Sequence, residues 1–304
     1  MAVPTKFGKE SKALAAQSSR WYVQVANAFR HDPRLWFGVV LLLYILAAIF
    51  APIISPYSPL LYHPSIATQP PSLAHLLGTD DLGRDQLSRV IYGTRISLSV
   101  GIVTILIGGV CGTLLGLIAA YFKGWVDQAI TMVVDAILSF PSIVLALAIV
   151  AALGPSILNL ALALAFVRIP IYSRIARGQT LQISNQEYVV AAISNGTRTW
   201  KILWRHILPN IFSPLLVQAT ISISFAILDE SVLSFLGLGI QPPTPEWGAM
   251  INDAQVYLTS DPWMLLGPAL AIILVVLSLN LLGDAVRDRL DPRDSVRAME
   301  VARE

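Results

Sequence analysis

Long runs without charge alternate along the chain with short basic segments. A hydrocarbon core of about 30 Å needs roughly 20 apolar residues in a helix, and six runs answer to that need. Leu35 to Ile54 carries no charge over its whole length. Ser97 to Ala120 is the second run, and Ala129 to Leu153 the third, interrupted by Asp135 and Pro141 and closed by Gly154-Pro155. The fourth, Ile157 to Tyr172, is short and contains Arg168 and Pro170. The fifth, Pro214 to Leu228, runs into Asp229-Glu230 and a further apolar stretch, Ser231 to Gly239. Met264 to Gly283 is the sixth. The pattern predicts an all-α membrane domain of six transmembrane helices over residues 35–283, with a leader at 1–34 and a tail at 284–304. The first run is too long for the core of a signal peptide and reads as a retained anchor.

Two connectors are too long to be simple loops. Ser55 to Ile96 opens with five prolines and then turns helical, with Asp85 and Arg89 spaced to pair at i,i+4 and Leu87, Val90 and Ile91 on one face. Ile240 to Trp263 opens with Gln241-Pro242-Pro243-Thr244-Pro245. Trp247, Met250, Ile251, Ala254 and Leu258 then trace an amphipathic helix from Glu246 to Leu258, of about three turns and too short to span. It should lie in the interface or dip into a cavity between other helices. In the second run Gly108, Gly112, Gly116 and Ala120 recur every four residues, a stripe that lets another helix approach closely.

Composition agrees: 55% of the residues are hydrophobic and 13% charged, against roughly 25% charged in a soluble domain. The net charge of +2 matters less than its placement. With six spans both termini share one side. That side collects eighteen of the 21 lysines and arginines, leaving Arg84, Arg89 and Arg95 on the other, so both termini are expected in the cytoplasm. The single cysteine, Cys111, sits in an apolar run and reads as a small packed hydrophobe.

Chemistry of its own is hard to find. The phosphate-cradling pattern G-x-x-x-x-G-K-[ST] does not occur, and His31, His63, His75 and His206 are too scattered for a metal site. Asp135 in the third run, and Asp229 and Glu230 at the end of the fifth, are the residues that could relay protons, candidates for function or equally for hydrogen bonds between helices. An ion-driven secondary transporter would want midplane ionisable groups and two similar halves, and neither stands out. Active transport would therefore draw on another chain. The segment from Arg174 to Pro209 is helix-compatible but only partly apolar, broken at Asn195-Gly196 and ended by Pro209. Tyr188, Val189, Ala191 and Ala192 precede the break; Trp200 and Trp204 follow it among Arg198, Lys201 and Arg205. Such a surface suits a partner's groove or the lipid headgroup layer.

At these residues the sequence resembles a known family. Ala191-Ala192, three residues, Gly196 and then Leu208-Pro209 resemble the "EAA" loop of binding-protein-dependent ABC importers, E-A-A-x3-G-x9-I-x-L-P. Val190 stands where that motif has its glutamate, and His206 replaces its isoleucine. Leu77 to Asp85 (LGTDDLGRD), Leu233 to Gly239 with Gln241 to Gly248, and Asn280 to Asp284 with Leu290-Asp291-Pro292 are similar to the second permease subunit of the dipeptide/oligopeptide/nickel subfamily. The resemblance runs from about residue 35 to 293. It implies a type I importer in which two permeases, two cytoplasmic ATPases holding ATP and Mg, and an extracytoplasmic solute-binding protein act by alternating access. It assigns Tyr188, Val189, Ala191, Ala192, Gly196, Leu208 and Pro209 to ATPase coupling. Gly78, Thr79, Asp80, Gly83, Arg84, Asp85, Pro243, Pro245 and Trp247 fall to receptor docking or an outer gate. The implied solute is a short peptide, with nickel chelates or glutathione as alternatives. No cofactor or metal is implied for this chain.

Overall fold

The computed structural model describes residues 33–290, with side chains to 288. The leader up to residue 32 and the tail from 291, which carry part of the charge bias, lie outside the described residues. Ten α-helices follow in order: α1 (Leu35–Ile54), α2 (Gln86–Phe122), α3 (Gly124–Leu138), α4 (Ser142–Leu153), α5 (Ile157–Ser184), α6 (Glu187–Ser194), α7 (Thr199–Ile202), α8 (Leu208–Phe235), α9 (Trp247–Gln255) and α10 (Trp263–Leu290). Among the described residues there is no β-strand, only an isolated bridge between Thr79 and Asp85.

Five of these helices are long and apolar enough to cross a membrane: α1, α2, α5, α8 with the turns leading into it, and α10. The third run is broken. Its halves, α3 and α4, meet at 89° across Ser139, Phe140 and Pro141. Proline has no N–H to continue the ladder and disfavours helix at the residue before it, and here Pro141 instead caps the start of α4. Ion pairs at 2.6 Å from Arg177 to Asp127 and from Arg174 to Asp135 tie α3 to α5. Eight residues of α3 thus pass three residues of α5, about 12 Å against 4.5 Å at helical rise, so the two cross obliquely.

Arg34 Nη1 meets Asp288 Oδ2 at 2.7 Å, joining the start of α1 to the end of α10. The same end of the bundle holds α6 and α7, since the Tyr121 hydroxyl near the end of α2 reaches Thr199. At the other end residues 55–85, α9 and the start of α10 form a cap, with Gln86 at the start of α2 close to Met264. Counting α3 and α4 as one passage, the chain crosses between these ends six times.

The closest packing joins α2 and α5, which run parallel. Gly108 and Gly116 make it possible: a Cβ at Gly108 would lie 2.7 Å from the Ala165 carbonyl oxygen, and one at Gly116 2.3 Å from that of Ser173. Gly112 sits between them against Ile169.

Several bounds differ from expectation. Span four is 28 residues long, to Ser184, and is the most internal of the spans. Arg168, assigned by charge counting to the connector after it, lies inside it. Pro209 does not end a helix but begins α8, after a π-turn at Leu203–Ile207. That wider turn bonds Leu208 N–H to the Leu203 carbonyl, so the chain enters the proline without an interior-helix clash. The second span starts at Gln86, giving α2 a length of about 55 Å. Arg89 turns to Asp80 and the Pro59 carbonyl, not to Asp85. Cys111 lies on the exposed side of α2.

Candidate functional site

At one end of the bundle α5 gives way at Asn185-Gln186 to α6, a two-turn helix stopped by a Schellman motif. Thr197 N–H donates to the Ala192 carbonyl at 3.0 Å and Gly196 N–H to that of Ile193 at 2.9 Å. Gly196 has φ +72°, with open space where a Cβ would stand, so its backbone rather than its size selects glycine. Val189 points inward, wholly buried in a core with Tyr172, Ala176, Ile202 and Ile207. Ala192 is half-buried; Tyr188, Val190, Ala191 and Ile193 are exposed. Trp200 and Trp204 follow, edge to face at 5.2 Å and both exposed. Leu208 and Pro209 open α8, the first half-buried and the second exposed. A small apolar platform thus stands out from the bundle, with Val189 as its floor. Val189 was expected among the residues filling a partner's cleft; its burial removes it from that surface. Val190 and Ile193, also exposed on α6, were not among the residues expected there.

At the opposite end, the LGTDDLGRD block is folded in on itself. Asp80 accepts from Leu82 N–H at 3.0 Å, Arg84 N–H at 2.8 Å and Arg84 Nε at 2.6 Å. Thr79 donates to the Ile66 carbonyl and accepts from Gln69 N–H. Asp85 caps α2 through Ser88 N–H at 2.8 Å and meets His75 Nδ1 at 2.9 Å. Gly78 and Gly83 have positive φ, and a Cβ at Gly83 would lie 1.9 Å from the His63 carbonyl oxygen. Gly78, Thr79, Asp80, Gly83, Arg84, Asp85, Pro245 and Trp247 are all buried; of the nine residues assigned to receptor docking or an outer gate only Pro243 is exposed. The side chains of Thr79, Asp80 and Asp85 thus satisfy the backbone of a connector that has no regular structure. These residues build the cap, and its exposed surface includes instead Leu60, Leu61, Leu73, Leu76 and Leu82.

Residues 112–295 match the family described as binding-protein-dependent transport system inner membrane component. The chain belongs to that family. Residues 19–71 also match the N-terminal transmembrane domain of oligopeptide transport permease C. The permease is 45% identical over 255 residues to the dipeptide transport system permease protein DppC of Alkalihalophilus pseudofirmus, covering 84% of each chain. It is 45% identical over 257 residues to the glutathione transport system permease protein GsiD of Pectobacterium atrosepticum, covering 84% of this chain and 85% of the relative. The crystal structure of an amino acid ABC transporter with histidines shares the fold, with TM-score 0.52 at 16% identity over 66% of this chain and 94% of that one. The permease is thus a multi-pass inner-membrane subunit, and the family is the membrane component of the importer, not its ATPase.

In this permease the short cap helix α9 does not float on the membrane. It packs against α8, α10 and α2 and ends at Gln255, one turn earlier than its apolar pattern suggests. Trp247 is wholly buried and donates from Nε1 to the Val90 carbonyl at 3.1 Å. Glu246 caps α9, accepting from Gly248 N–H at 2.6 Å and Ala249 N–H at 2.8 Å. Burial pushes its carboxyl above the ordinary range, opposed by those two N–H groups and by Glu230 and Ser234. Glu230 of α8 is itself wholly buried beside it.

Proposed function

We propose that this permease forms, with a second permease, two ATPase subunits and a solute receptor, an importer that moves short peptides into the cytoplasm. ATP and Mg are bound and ATP hydrolysed in the partner subunits. The relatives named for dipeptide and for glutathione transport support a small peptidic solute, glutathione being itself a tripeptide. The chain ends and the α6–α7 platform face the cytoplasm, and the cap faces outward, where the receptor docks on its exposed rim. The charge bias of the connectors supports that orientation.

One observation carries the mechanism: α6 presents Tyr188, Val190, Ala191 and Ile193 outward while Val189 roots it in the core shared by α2, α5 and α8. A helix seated in the ATPase by its outer face and fixed to the bundle by its inner face passes displacement from one to the other. A loop lying on headgroups would need only its basic residues. The test is the double variant Gly196→Leu, Ala191→Asp in the assembled importer. Leucine at φ +72° is strained, at a cost of about 1–2 kcal/mol, and the aspartate places a charge in the seated face. The variant is expected to insert normally, to co-purify less ATPase and to import no solute. Wild-type import would overturn the coupling role.

A further inference from the structure

Between α5 and α8 runs a polar seam that the cap and the platform do not account for. On α8, Gln218, Ser222, Phe225 and Asp229 recur at four, three and four residues and so share a stripe. It extends about 16 Å along the helix, roughly half of a hydrocarbon core. Gln218 Nε2 donates to the Ser222 hydroxyl at 2.9 Å, and the buried Tyr172 hydroxyl of α5 lies beside Ser222. Farther along, Arg168 Nη2 is ion-paired with Asp229 Oδ2. The Arg168 Cζ lies 5.8 Å from the centroid of Phe225, whose ring is 49% exposed. Arg168 Nε is buried with no hydrogen-bond partner among the described residues.

Neither lipid nor stability explains this arrangement. The Asp229 side chain is 17% and that of Arg168 9% exposed, so the pair opens on one edge of the chain at membrane depth. Ionisable groups at that depth face a bundle interior or a water-filled cavity rather than acyl chains. A buried ion pair returns little net stability over an apolar pair of the same size, and one with an unused guanidinium N–H returns less. The groups are suited to a ligand. A guanidinium fork matches a carboxylate in two hydrogen bonds, and a carboxylate matches an ammonium. Phe225 holds the guanidinium by its face and offers apolar surface beside it.

We propose that Arg168 and Asp229 form a subsite of the translocation path that holds the charged ends of a zwitterionic solute, its carboxylate at Arg168 and its ammonium at Asp229. Without solute the two side chains neutralise each other. With a dipeptide one ion pair becomes two, and no net charge is added at membrane depth. The free Arg168 Nε supplies the second donor of the fork. Gly108 belongs to the same device: a Cβ there would lie 3.0 Å from Arg168 Cβ, so the glycine leaves the arginine its position.

This inference rests on the importer reading, and the experiment separates the two. The complete importer, with its partner subunits and receptor, is reconstituted in liposomes and supplied with dialanine or with glutathione. Wild-type import of neither solute would overturn the importer reading and the subsite with it. Where wild type imports, two double variants decide: neutral Arg168→Gln with Asp229→Asn, and exchanged Arg168→Asp with Asp229→Arg. A solute subsite predicts that both assemble, retain ATP hydrolysis and lose import at least tenfold. Restoration of import to within twofold by the exchange would reduce the pair to a structural tie and overturn the proposal. Loss of the sister permease from either variant would make it an interface pair and overturn the proposal likewise. Should the double variants fail to insert, Arg168→Lys keeps the charge and loses the fork. It is expected to raise the half-saturating solute concentration at least tenfold with unchanged ATP hydrolysis, and an unchanged value overturns the proposal.

Discussion

A Cβ added at Gly112 would lie 2.4 Å from the carbonyl oxygen of Ile169 and 2.7 Å from Tyr172 Cβ, both on α5. Neither atom can yield without moving a helix. Gly178, on the same α5, has open space at that position and no unusual backbone angle. Gly112→Val is therefore expected to destabilise the permease by about 1–3 kcal/mol, whereas Gly178→Ala should be neutral or stabilise it by about 0.5–1 kcal/mol. Thermal midpoints of the purified protein, compared side by side, check the contrast. Glu246 carries a second prediction. The folded-state pKa of Glu246 is raised by burial, so the native state binds a proton that the unfolded chain releases. That contribution to stability is complete at low pH and is lost as pH rises through the raised value. Melting of the permease should accordingly shift to lower temperature in alkaline buffer. Glu246→Gln should flatten that dependence, because an amide at this buried position has no proton to lose. An equally steep dependence in the variant would show that Glu246 is not the cause.

Among the helices, what was legible in the sequence and what was not follow from one distinction. Hydropathy reports what faces lipid. It found α1, whose outer side exposes Leu42, Leu43, Leu46 and Ile49 to the surroundings, and it found α2 and α10. It shortened α5, because that helix buries Arg168, Ser173 and Thr180 against its neighbours and so carries polarity without meeting lipid. The break between α3 and α4 was announced by Pro141, but a turn of 89° depends on α3 being held obliquely by Asp127 and Asp135 to two arginines far along the chain. The cap motif was recognisable as a string, but its burial was not. Charged side chains are ordinarily a surface feature, and nothing in LGTDDLGRD says that Asp80 spends its oxygens on its own loop. The platform was read best. A Gly between two helical stretches implies a left-handed cap, and φ +72° at Gly196 meets that expectation. The two faces of α6, by contrast, were assigned only when Val189 was found inside.

For the complete permease the orientation in the bilayer is an expectation from charge, and it has a direct test. Ser65 in the cap and Ser260 after α9 are both exposed and lie at the end opposite the α6–α7 platform. Single cysteines at these positions, in a Cys111→Ala background, should react in intact cells with a thiol reagent that cannot cross the membrane. A cysteine at Ser194, exposed on α6, should react only after lysis. The reverse pattern would invert the molecule and move the coupling surface to the wrong compartment.

The glycine seam between α2 and α5 also decides how the permease can move. Two helices in backbone-to-backbone contact over three successive turns cannot slide or tilt against each other without collision, because no side-chain layer lies between them to rearrange. They behave as one stiff beam reaching from the cap to the platform, with α6 hung from its end. Push at α6 and the beam pivots rather than flexes. In the importer proposed above, the bending would then fall to the elbow at Ser139-Phe140-Pro141, where one helical ladder has ended and the next has yet to begin.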